Sequence, residues 1–122
     1  MEEQLISFKT AKLAKNKGFR QHQGHLKMYR DEDGYLFDNI GPAYDIEGHC
    51  SYAPTQSLLQ KWLREKHEML IRPDHSYFPS FKDREWYCSV KFKYDKWKRA
   101  CKGRNSYEEA LEHGLQKALK LI

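Results

Sequence analysis

Residues 85–103 read EWYCSVKFKYDKWKRACKG, and their side chains alternate with a period of two. Trp86, Cys88, Val90 and Phe92 fall on one side, and Tyr87, Ser89, Lys91 and Lys93 on the other. Successive side chains of a strand leave opposite faces of the pleat, so this period predicts strand. Tyr94 and Asp95 interrupt it with turn chemistry, which predicts an antiparallel pair. A turn centred between these two residues sets Cys88 against Cys101, Val90 against Arg99 and Phe92 against Trp97. The other face then opposes Lys93 to Lys96 and Lys91 to Lys98, with Lys102 across from Tyr87.

Like charges directly opposed on a sheet destabilise it, so such a face points to a bound anion. The candidate binding set is Lys91, Lys93, Lys96, Lys98 and Lys102 with Tyr87 and Tyr94. Lysines would meet phosphates, and the two rings would stack on unpaired bases. The favoured reading of these lysines is the plainer one, a solvated face whose side chains splay into water and guard a sheet edge against aggregation. Cys88 and Cys101 are expected to pack as two thiols. A one-residue change of register would undo every pairing.

On the N-terminal side, APTQSLLQKWLREKH (53–67) reads as a helix. Leu58, Leu59, Trp62 and Leu63 make its apolar stripe. Either Thr55 caps it or Pro54 is its first helical residue. MLIRPDHSY (69–77) is a strand that Pro73 either confines to an edge or ends. SYEEALEHGLQKALKLI (106–122) is a capped helix, with Ser106 and Glu109 in capping-box positions. Leu111, Leu115, Ala118, Leu119 and Ile122 form its buried stripe. Gly114 costs about 1 kcal/mol against Ala in mid-helix, which is tolerable where another backbone packs closely.

Towards the start, SFKTAKLAKNKGF (7–19) is a helix capped by Ser7 and closed by Gly18. HLKMYRDEDGYLFDNI (25–40) is a hairpin turning at Gly34, and GPAYDIEGHCSYAP (41–54) is a long loop. The predicted order is αββαβββα. It describes an α+β fold in one domain over residues 1–122, three helices packed on one antiparallel sheet.

The 17 aromatic residues among 122 argue for a folded chain, although the mean hydropathy is −0.94. No apolar run approaches the roughly 20 residues of a membrane helix, and MEEQLISFKT lacks secretory-signal features, so a cytoplasmic protein is expected. Cys50, Cys88 and Cys101 are an odd count without a Cys-x-x-Cys pair, which fits reduced thiols better than a disulfide scaffold. The net charge of +5 is a patchwork: residues 31–60 hold six acids and no Lys or Arg.

His22, His25, His49 and Cys50 could be assembled as zinc ligands, but the spacing matches no strong motif and no metal is expected. TAKLAKNKGFRQHQGHLKMY (10–29) faintly echoes a helix-turn-helix, whose second helix would have to run through Gly24. The hydrolase, nucleotide-loop and zinc-protease signatures do not occur, so neither catalysis nor a cofactor is expected.

SFKTAKLAKNKGF, APTQSLLQKWLRE and YEEALEHGLQKALKLI, in this order, resemble a family of short uncharacterised proteins of bacterial phages and prophages. The resemblance implies a compact intracellular bacterial or phage protein and carries over no catalytic residue. The expectation is therefore a non-catalytic module that meets a protein partner. Tyr44, Tyr52, Tyr77, Phe78 and Phe81, in or beside loops, are candidate anchors or else close the edges of the core. The alternative is nucleic-acid binding through the lysine hairpin 91–102, helped by Lys9, Lys12 and Lys15.

Overall fold

The computed structural model of the chain describes residues 4–20, 26–39, 49–76 and 85–122. Among these residues nine elements run αβββαβββα, with two three-stranded antiparallel sheets. The α+β class stands as read, with one more strand and two sheets in place of one. The chain divides into compact units Met1–Thr55 and Gln56–Ile122.

In the first unit, α1 (Phe8–Asn16) starts where the Ser7 hydroxyl accepts the Thr10 N–H at 3.3 Å. It stops at Gly18, whose φ of +88° lets the Phe19 N–H turn back to the Ala14 carbonyl at 3.0 Å. Strands β1 (Leu26–Arg30) and β2 (Leu36–Asn39) form the expected hairpin, closed by Gly34 at φ +77°. Asp33 braces this turn, accepting from the Arg30 guanidinium and from the Tyr35 N–H.

Strand β3 (Cys50–Tyr52) lies within the stretch expected to be loop. It pairs along the second edge of β1, Tyr29 facing Ser51, in the order β2-β1-β3. Three residues are too short to show alternation, and a partner strand decides their state. Residues 26–30 as strand also overturn the helix-turn-helix echo, which needed a helix there. Ile6, Ala11, Ala14, Phe19, Met28 and Ala53 are buried.

The second unit is α2 (Gln56–His67), β4 (Met69–Ser76), β5 (Glu85–Phe92), β6 (Lys98–Arg104) and α3 (Tyr107–Leu121). The strands lie in chain order, so β4 with Pro73 is the edge strand expected. Helix α3 packs across all three strands, and α2 packs on α3 and β4.

Leu59, Leu63, Met69, Ile71, Val90, Leu111, Leu115 and Leu119 fill the core beneath these helices. Full burial of such a side chain contributes roughly 1.5–3 kcal/mol. The predicted α2 stripe needs correction, because Leu58 is exposed and Trp62 only half-buried. At 100° per residue Leu58 sits well round from the line Gln56–Leu59–Leu63. Gln56 joins the buried line because its amide donates to the Glu108 carbonyl at 2.9 Å and to Glu112 Oε1 at 3.0 Å. Among the described residues no helix is long and apolar enough to cross a membrane.

Candidate functional site

The helices of the second unit cover the face of its sheet that carries Ile71, Cys88 and Val90. The opposite face belongs to the alternate positions. Along β4 these are Leu70, Arg72 and Asp74, and register sets them beside Lys91, Ser89 and Tyr87 of β5. What stands beside them on β6 depends on its register.

Cys88 faces Cys101 as the sequence suggests, but Ser89 faces Arg99 and Val90 faces Lys98. Ala100 is the extra residue between the two registers, a bulge that slips the strand by one position. A one-residue slip exchanges faces. Arg99, expected opposite Val90 on the apolar side, therefore joins the outer face, and Lys98 lies across from Val90 instead of Lys91. A second irregularity separates Cys88 from Trp86, which faces Arg104; Gly103 supplies a φ of +69° there.

The outer face thus carries a row Arg72–Ser89–Arg99 across three strands. The Arg72 guanidinium lies 4.5 Å from the centre of the Trp97 ring, and Lys91 Nζ lies 5.1 Å from the same ring. The Arg99 guanidinium lies 4.5 Å from the centre of the Tyr87 ring. These are cation–π distances, worth about 0.5–1 kcal/mol each at exposed sites. The Tyr87 hydroxyl donates to Asp74 Oδ2 at 3.3 Å, which fixes the ring from its far side. Among the described residues, Arg72, Lys91 and Arg99 have no carboxylate partner. The rings thus hold the charged heads of these three side chains on the outer face.

Of the candidate residues, Lys91 and Tyr87 stand on this face, and Lys102 is exposed one position after the inward Cys101. Lys93, Tyr94 and Lys96 occupy the turn, where Lys93 Nζ lies 5.3 Å from the Tyr94 ring. The sequence reading missed Arg72, Trp97 and Arg99. Arg72 could have been found, since alternation from the buried Ile71 sends it outward. Trp97 and Arg99 could not, because the bulge leaves no mark in composition.

Other candidates offer less. Cys88 and Cys101 are free, buried thiols, and burial, then the neighbouring Cys101, pushes the Cys88 thiol up to about 12. Such a thiol is a poor nucleophile or metal ligand. Among the described residues no group of three His, Cys, Asp or Glu could hold a metal, and His22 and His25 lie outside them. In the first unit Lys15, Gly18, Phe19, Arg20, Cys50 and Tyr52 line a cavity of about 220 Å³. Its Lys15 is paired with Asp31 at 2.5 Å. Tyr52 is half-buried edge-on to Phe19 at 6.3 Å, while Tyr44, Tyr77, Phe78 and Phe81 lie outside the described residues. No family model, curated protein or solved structure matches the chain.

Proposed function

We propose that the second unit is a non-catalytic nucleic-acid-binding module working through the outer face of its sheet. The observation that carries this reading is a set of three cations with no carboxylate partner among the described residues, each held against an aromatic ring on the face of the sheet opposite α3. Lysine alone could be a solvated surface. Two arginines and a lysine ordered on Trp97 and Tyr87 form a fixed array, and Arg presents the planar fork that suits phosphate. A protein partner is the weaker reading, because Tyr52, the described member of the aromatics expected in loops, ends β3 and packs edge-on against Phe19. A phage or prophage setting, suggested by the three helical segments, is compatible with such a module.

The test is binding of a labelled oligonucleotide at several salt concentrations. Affinity should fall steeply with salt, with a log–log slope that drops by about 0.7–0.9 for each phosphate-contacting cation removed. Arg99→Ala and Lys91→Ala, both on the outer face, should each show that change while the fold persists by circular dichroism. Absence of binding at low salt, or binding indifferent to salt, would overturn the proposal.

A further inference from the structure

We infer that this face takes a single strand of nucleic acid, with unpaired bases stacked on its rings and guanidinium planes, in preference to a duplex. The inference rests on the nucleic-acid reading above and specifies its substrate.

A duplex presents phosphates and groove edges, while its base faces are covered by neighbouring pairs. A surface built for a duplex would therefore need cations and hydrogen-bonding groups, and broad rings would add little. Here rings and cations are interleaved. Trp97 is 39% exposed beside Arg72 and Lys91, and Tyr94 at the turn is 87% exposed beside Lys93. Tyr87 carries Arg99 on its ring. Bases stack on aromatic side chains and on Arg guanidinium planes, and both need an unpaired base.

The spacing suits a short strand. Tyr87 and Lys91 are four residues apart on β5, about 13 Å along a strand. That distance spans roughly four stacked nucleotides. Tyr94 offers a further stacking station beyond it, at the tip of the hairpin. The charges also give the track a direction. Asp74 and Glu85 lie towards the end of β5 remote from the hairpin, where phosphate is repelled. Arg72, Lys91 and Arg99 lie towards the turn, where it is attracted. Each phosphate would meet a cation beside a ring that holds the adjoining base, the combination that sequence-tolerant single-strand sites use.

The experiment measures anisotropy of a fluorescein-labelled oligothymidylate and of a duplex of equal length, on the full chain over the same series of low salt concentrations. The expected result is at least tenfold tighter binding of the single strand. Trp97→Leu and Tyr94→Ala should each weaken that binding by roughly five- to a hundredfold while leaving the salt slope unchanged. Trp97→Phe should restore part of the loss, and duplex affinity should not change. Tyr94→Ala alters a side chain almost wholly in solvent, so its result cannot be attributed to unfolding. Equal affinity for both probes with neutral ring variants would overturn the single-strand inference and leave nucleic-acid binding standing. Binding of neither probe would sink both, and would turn attention to an acidic protein surface as the occupant.

Discussion

A Cβ placed on Gly114 would lie 2.3 Å from the Cys88 sulfur and 3.0 Å from an Ile71 methyl carbon, so α3 meets β5 and β4 across a single hydrogen atom. The close approach expected at Gly114 is real, but its neighbours are the side chains of Cys88 and Ile71 and not another backbone. Helix propensity alone would favour Ala here by about 1 kcal/mol. Overpacking costs about 1–3 kcal/mol and should win, because both neighbours sit in a closed core. Gly114→Ala should therefore lower stability in urea titration, and adding Cys88→Ala should recover part of the loss. Strict additivity in that double-mutant cycle would show the contact to be unstrained.

Cys88 should also shape the alkaline limb of stability. Its thiol is raised from the ordinary 9.0 to about 12, chiefly by burial. The folded chain therefore holds this proton more tightly than the unfolded chain does. The contribution is complete below pH 9 and is lost as pH climbs towards 12. Over that window wild type should lose stability faster than Cys88→Ala, and parallel curves would refute the assignment. Tyrosines and lysines titrate in both proteins, so the difference between the two curves is the readout.

Glu68 joins α2 directly to β4 with φ +54°, in the left-handed region where a side chain costs about 1–2 kcal/mol. Its backbone carbonyl also accepts the Lys93 N–H at 2.9 Å, so the tight link sets where the β5–β6 turn begins. Glu68→Gly keeps that hydrogen bond and relieves the strain, at some cost in chain entropy. The expected outcome is a gain of about 0.5–1 kcal/mol in thermal or urea denaturation. A loss would mean that the Glu68 side chain makes a compensating contact.

Asp31 ties three parts of the first unit together. It accepts from Lys15 of α1 at 2.5 Å and from the buried Ser51 hydroxyl of β3 at 2.6 Å. Burial pushes its carboxyl up, but the hydrogen bonds from Lys15 and Ser51 outweigh it and hold the group below its ordinary 3.8. Its stabilisation is present above that value and disappears as pH falls through the lower, folded one. Asp31→Asn should cost about 1–2 kcal/mol at neutral pH, and the gap to wild type should close in acid. A gap that persisted at all pH values would assign the effect to packing instead of charge.

Local chemistry made much of this fold legible. Ser7, Gly18, Gly34 and Ser106 mark ends and turns through bonds that their own few neighbours complete, so a linear reading finds them. The alternation from Trp86 to Phe92 likewise needs no partner to be recognised as strand. Strand β3 escaped because three residues carry no period, and the exposure of Leu58 because two adjacent leucines cannot both face one core line.

Short-range sterics and hydrogen bonding fix the inventory along the chain: capped helices, a turning ribbon, a strand around Pro73 and an α+β class. Tertiary structure alone decided the division into two sheets and the face on which each charge stands. The bulge at Ala100 forms because Cys101 must reach the core beneath α3 while the hairpin closes from its own turn, and one extra residue reconciles the two. That single slip carries Arg99 from the side α3 covers to the opposite one, beside Tyr87. No property of residues 98–101 alone records it.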